Sequence, residues 1–259
     1  MQIVLLGSGN VATHLALALE QNGMTLRQIY SRDLHHARTL SDRLSSNPAS
    51  INSLADLSRD ADLYLFAVSD AAIALLAEQM PQTTGVWAHT AGSVELEILR
   101  RNHADSGVLY PLQTFSKGRA LDFSRTPVYI EAYSELALRT LSQVGQSISR
   151  SVYQIDERQR KQLHLAAVFA CNFVNHLYHI SEQLLSDVGL PPHSLFPLIA
   201  ETAAKIETLS AAKAQTGPAA RRDDCTMGKH LAMLQDPYSQ QIYRQMSDAI
   251  INQFNHYSE

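Results

Sequence analysis

The segment Gly7-Ser8-Gly9-Asn10-Val11-Ala12 follows an apolar run and opens a stretch rich in Leu and Ala. Its spacing matches what a diphosphate requires. The first glycine makes a tight turn, the second leaves the backbone bare for close approach, and a small third residue lets a helix pack on a strand. A helix beginning there turns free N–H groups and a partial positive charge toward phosphate. These residue types point to a bound dinucleotide, cradled by Gly7, Ser8, Gly9, Asn10 and Val11. About twenty residues further on, an acidic side chain would hold a ribose 2′-hydroxyl. Here the chain reads Ile29-Tyr30-Ser31-Arg32, with no carboxylate before Asp33. A guanidinium suits a 2′-phosphate dianion, so Ser31 and Arg32 favour NADP over NAD. An arginine on a solvated loop is the alternative.

Three later strand-like runs end in polar residues, where ligands of an open parallel sheet bind. The run 62–68 places Ala67, Val68 and Ser69 beside the expected dinucleotide. The run 85–89 places His89 and Thr90 near the nicotinamide. The run 106–110 brings Tyr110, Gln113 and Thr114 to the substrate side. His89 can face nicotinamide or substrate, or make a purely structural hydrogen bond. On the stretch 163–180, a constant helical step of ~100° gathers His164, Cys171, Asn175 and His179 on one face, with Asn172 just beyond. That polar stripe either faces a cleft or is satisfied within a core. The loop Thr216–Asp223 offers Arg221 and Arg222 to a carboxylate or phosphate; alternatively Asp223 caps the next helix. No metal is expected, since His164 and His179 lie about 22 Å apart along a helix axis.

Residues 1–154 alternate apolar runs (3–7, 25–31, 62–68, 85–89, 106–110, 127–132, 149–155) with helical patterns (10–22, 33–45, 70–80, 93–102, 133–143). Such alternation implies βαβ units and a mostly parallel sheet. Beyond 155 the pattern is helical throughout. A long helix is expected from Asp156 to about Val188, stopped by Gly189 and Pro191-Pro192, with further helices at 193–213, 223–235 and 238–257. Hydrophobic residues make up 45 % and charged residues 18 %, as in ordinary globular chains. A net charge of -4 argues against nucleic acid or an anionic membrane as partner. The two cysteines, Cys171 and Cys225, build no disulfide framework, and no signal peptide precedes the first strand, so a cytoplasmic setting is expected.

Taken together, "LLGSGNVATHLA", "HTAGSVE", "LYPLQTFS", "HLAAVFACNFVNHLY" and "TGPAARRD" resemble a family of bacterial Rossmann-like proteins whose NADP oxidoreductase label rests on similarity. Their helical C-terminal domain has no assigned function. More distantly the layout is similar to pyrroline-5-carboxylate reductase and the 6-phosphogluconate dehydrogenase superfamily. The resemblance implies an α/β fold: a Rossmann-type, mostly parallel sheet (1–154) followed by an all-helical domain (155–259) that dimerises and helps bind a small-molecule substrate. It also implies hydride transfer between NADPH and a small carbonyl or imine. One departure matters. The superfamily's hydroxyacid dehydrogenases carry a catalytic lysine four residues before an asparagine on the long helix; here Val168 precedes Asn172 and Cys171 precedes Asn175 at that spacing. His89 or His164 is then left to move the proton, with Asn172 as a further catalytic candidate, Asn175 and Arg221 as substrate contacts, and a non-catalytic NADP sensor as the alternative.

Overall fold

The computed structural model describes residues 1–256 and divides the chain into two compact units, Met1–Asn172 and Phe173 onward. The first unit is built on strands β1 (Gln2–Leu6), β2 (Thr25–Tyr30), β3 (Ala49–Ile51), β4 (Leu63–Phe66), β5 (Val86–His89), β6 (Ser106–Pro111), β7 (Val128–Ala132) and β8 (Val152–Gln154). They form a single sheet in the order β3-β2-β1-β4-β5-β6-β7-β8. All neighbours are parallel except β6 and β7. That reversal has a simple cause. The connection from 112 to 127 carries only a 3-10 turn at Phe123–Arg125, so the chain returns beside β6 without a crossover helix.

The helices of this unit are α1 (Asn10–Gln21), α2 (Leu34–Ser41), α3 (Asp70–Gln79), α4 (Glu97–Arg100), α5 (Glu135–Ile148) and α6 (Glu157–Ala167). They cover both faces of the sheet, which is why its strands read as unbroken apolar runs. Ile3, Leu5, Leu65 and Ile130 pack with Leu15 and Leu19 of α1 and Leu141 and Val144 of α5. Val4, Leu6, Tyr64, Phe66 and Trp87 pack with Ile73 and Leu76 of α3 and Leu99 of α4. A third, smaller cluster joins Leu96, Val108 and Tyr110 to Leu163 of α6. Because α6 packs on the sheet, the compact units divide later than the expected boundary at 154/155.

Asp156 starts α6 with a full capping box: its carboxylate accepts from the Gln159 N–H, and the Gln159 side chain accepts from the Asp156 N–H. The expected long helix is not uniform. A π turn over Val168–Phe173 separates α6 from α7 (Val174–Ser186). An inserted residue breaks the constant angular step, so the predicted stripe from His164 to His179 does not exist as drawn; Asn175 and His179 lie in the second unit. That unit continues with α8 (Phe196–Lys205), α9 (Ala211–Ala214), α10 (Asp224–Met233) and α11 (Pro237–His256). The expected helix 193–213 is broken after Lys205, and residue 257 of the expected helix 238–257 lies outside the described residues. The short strand β3 was not anticipated, and the pattern at 93–102 forms only the single turn of α4. Among the described residues no helix is long and apolar enough to cross a membrane, and no group of three His, Cys, Asp or Glu could hold a metal ion.

Candidate functional site

Gly7 ends β1 with φ +121°, a conformation open only to glycine, and its N–H donates to the Tyr30 carbonyl at 2.8 Å. A Cβ on Gly7 would run into the carbonyl oxygen of Ala67. The turn is therefore locked between β2 and β4. Gly9 is the opposite case: a Cβ there would meet nothing within 4 Å. Gly9 is also the N-cap of α1, with no side-chain cap and no acidic residue in the first turn. The first N–H groups of α1 thus stand uncompensated in front of open space, the environment a pyrophosphate needs. Ala12 is fully buried beneath them.

Beside this loop the Ser8 hydroxyl donates to the Ser31 hydroxyl at 3.0 Å, so the two serines predicted from separate segments stand together. Arg32 is exposed next to them. Asp33 is committed elsewhere: it caps α2 by accepting from the His35 N–H at 2.8 Å. On the other side, Val68 Cγ1 lies against the Gly7 turn. Ser69 is an uncapped N-cap of α3, and Asp70 accepts a hydrogen bond from the Ser93 hydroxyl, tying the segments after β4 and β5 together.

His89 is placed differently from a solvent-exchanging acid or base. Its ring is wholly buried at the end of β5. Nδ1 accepts from the Ala91 N–H at 3.2 Å, and Nε2 has no partner among the described residues. Burial, reinforced by the nearby Arg160 cation, pushes its pKa down to about 3, with the Glu95 backbone pulling the other way. The ring is a neutral strut at working pH. Thr90 is also buried; its N–H donates to the Phe66 carbonyl at 3.2 Å.

The group that stands out at the rim is a pair. The Tyr110 hydroxyl and His164 Nδ1 are 3.1 Å apart. His164 reaches the rim because α6 lies over it and because residue 92 is glycine: a Cβ there would approach His164 Nδ1 to 2.6 Å. Burial raises the Tyr110 pKa, with Tyr129 and Asp70 adding to the rise and Arg160 opposing it. The phenol keeps its proton at neutral pH. Gln113 and Thr114 are exposed on the following loop, where the Gln113 side chain accepts from the Thr114 N–H. That loop is pinned to α1, since His14 Nε2 donates to the Ser116 carbonyl at 3.0 Å and its ring lies against Phe115.

The first unit therefore brings Gly7, Ser8, Gly9, Ser31, His89, Tyr110 and His164 to one end of its sheet. Asn172 is exposed in the π turn, Asn175 is exposed on α7, and Arg221 is exposed in the second unit. Asp223 is the N-cap of α10, accepting from Thr226 N–H and hydroxyl at 3.0 and 2.7 Å. Gly92, His14 and Arg160 escaped the sequence reading. A glycine inside "HTAGSVE" was the available signal for Gly92; an arginine near a helix start gave none.

Two family patterns match the chain: "Rossmann-like domain" over residues 1–114 and "Domain of unknown function (DUF2520)" over residues 126–250. The structure of the "putative NADP oxidoreductase BF3122" of Bacteroides fragilis is 40 % identical, with a TM-score of 0.92, covering 97 % of this chain and 98 % of that one. The chain belongs to the Rossmann-like DUF2520 family. The resemblance drawn from the motifs is borne out, as is the α/β class with its mostly parallel sheet. Beyond the DUF2520 family only the fold is shared. A 1-pyrroline-5-carboxylate reductase of Streptococcus pyogenes is 14 % identical with a TM-score of 0.64, covering 97 % of this chain and 98 % of its own. A reductive aminase of Aspergillus terreus, in complex with NADPH and ethyl levulinate, is 13 % identical with a TM-score of 0.72, covering 98 % and 94 %. No curated protein matches this chain.

Proposed function

We propose that the chain is an NADP-dependent oxidoreductase acting on a small carbonyl or imine. The observation that carries this reading is the juxtaposition of an uncapped α1 N-terminus behind Gly7 and Gly9 with a Tyr110–His164 pair on the same sheet edge. The α1 N–H groups hold the pyrophosphate; Ser8, Ser31 and Arg32 receive the 2′-phosphate. NADPH supplies the hydride when bound. Tyr110 donates its proton to the substrate oxygen or nitrogen as charge develops there, and His164 Nδ1 returns a proton to the phenol. His89 takes no part in proton transfer and instead fixes the turn after β5. The Bacteroides fragilis relative carries the NADP oxidoreductase name, and the Aspergillus terreus structure holds NADPH on the same fold; both support the reading.

A second copy of the chain completes the helical unit in this proposal. Among the described residues from 173 onward only Ala219, Met227 and Leu234 are buried. Phe173, Val188, Leu190, Phe196, Leu198 and Ile206 are all more than half exposed. An apolar surface on that scale marks an interface, and the exposed aliphatic helices suit a like surface.

Calorimetry with NADPH and NADH tests the cofactor. Losing a charge-assisted hydrogen bond costs about 1.5–3 kcal/mol, so Arg32→Ala weakens NADPH binding tenfold or more and leaves NADH unchanged. Equal affinity for both nucleotides in the wild type overturns the NADP assignment. A panel of small carbonyls and imines, followed by NADPH oxidation, tests the chemistry. Tyr110→Phe lowers kcat by about 10²–10⁴. NADPH binding without turnover on any substrate replaces the enzyme with a nucleotide sensor.

A further inference from the structure

Arg160 is the one wholly buried charged residue of the described chain, in the first turn of α6. Its Nε donates to Glu131 Oε2 at 2.9 Å, and its Nη1 donates to two consecutive carbonyls, Ala91 at 3.1 Å and Gly92 at 2.9 Å. Nη2 has no partner among the described residues. As a stabilising device this is a poor one. A buried ion pair of this kind is commonly matched or surpassed by apolar residues of similar volume. What the arrangement does achieve is local. The two carbonyls belong to the turn after β5, and Gly92 is the floor on which the His164 ring rests. Arg160 and His164 are i and i+4 on α6, so they lie on one face, one turn apart, and straddle the same turn.

We infer that Arg160 is the positioning residue of the Tyr110–His164 pair: its guanidinium fixes the Ala91–Gly92 carbonyls of the turn on which the imidazole rests. The inference rests on the proposed role of that pair. Four groups bear on the Tyr110 hydroxyl: Arg160 and His164 from α6, Tyr129 from β7 and Asp70 from α3. Arg160 is the cation among those that shift the phenol, and it opposes the upward effect of burial, Tyr129 and Asp70. It makes the phenol a better acid than its surroundings alone would allow. Lysine cannot replace it, because one ammonium cannot span Glu131 and both carbonyls in a planar fork.

The test needs no nucleotide. Full-length protein carrying tyrosine labelled at Cζ with carbon-13 is titrated by NMR, with the Tyr110 signal assigned from Tyr110→Phe. The double variant Arg160→Met/Glu131→Gln strands no buried charge. Of this pair only Arg160 is among the groups that shift the phenol, so its removal moves the Tyr110 titration upward. Arg160→Lys keeps the charge and holds that titration near the wild-type position, yet loses the signature of the Tyr110–His164 hydrogen bond. Trp87 fluorescence verifies that each variant is folded. An unchanged Tyr110 titration in the folded double variant overturns the inference. So does a downward shift toward the ordinary phenol value, which marks Arg160 as structural packing only. A wild-type chain that binds no NADPH refutes the proposed function instead, and leaves the effect of Arg160 on Tyr110 separately readable.

Discussion

Replacing His89 by asparagine removes a buried titratable ring while keeping an acceptor, since an amide oxygen can take the Ala91 N–H in place of Nδ1. In the folded chain the ring is held down to about 3; in the unfolded chain it titrates near its ordinary value of 6.5. Between those limits the unfolded chain binds a proton that the folded chain refuses. The stability His89 confers is therefore complete above pH 6.5 and is lost as the pH falls toward 3. At pH 5 the distance from 6.5 is 1.5 units, which at 1.36 kcal/mol per unit amounts to about 2 kcal/mol. Urea unfolding at pH 7 and pH 5, followed by the fluorescence of Trp87, measures it. Trp87 is the chain's one tryptophan and is buried on β5, so its signal reports on the sheet unit. The wild type should lose about 2 kcal/mol more than His89→Asn over that interval. Equal losses would refute the reasoning, because the folded ring would then be taking up its proton as readily as the unfolded one.

The two loop glycines should separate fold from binding. Gly7→Ala forces a side chain into the Ala67 carbonyl at positive φ and should cost at least about 2 kcal/mol in thermal unfolding. Gly9→Ala faces open space; its stability should change by less than about 1 kcal/mol, while calorimetry shows at least tenfold weaker NADPH binding. Gly92→Ala pushes on His164 and should lower kcat with little change in NADPH affinity, measured once a substrate is in hand. Gel filtration at micromolar concentration should return a dimer, and a monomer there would count against the second-copy proposal.

Much of the sheet could be read from the chain because strands buried on both faces leave apolar runs, and the Gly7–Ala12 spacing carries its own context of strand before and helix after. Other features left no such trace. Strand β3 is three residues long, with only Ile51 buried, so no run marks it. The π turn at Val168–Phe173 is invisible to a constant helical step, and that step misassigned the stripe from His164 to His179. A strand-end position located His89 correctly but did not tell how deep it lies. Nothing in the sequence sets Arg160 apart from the other charges of a polar first turn, since what removes it from water is Glu131 and the Ala91–Gly92 turn, both distant in sequence.

The second unit is thinly buried, with Ala219, Met227 and Leu234 its fully buried apolar side chains among the described residues. Ordering a residue costs about 1–2 kcal/mol of backbone entropy, and among its described residues this unit sets against that cost only three fully buried side chains besides its half-buried ones. If a second copy supplies further contacts, as proposed, the folded fraction would follow the supply of chains, because what binds only the folded form stabilises it by mass action. A newly made chain in sparse company would present its apolar helices to proteases and chaperones, and survive in proportion to how soon it meets another. Abundance would then rise more steeply than synthesis: a doubling of expression should more than double the steady-state level.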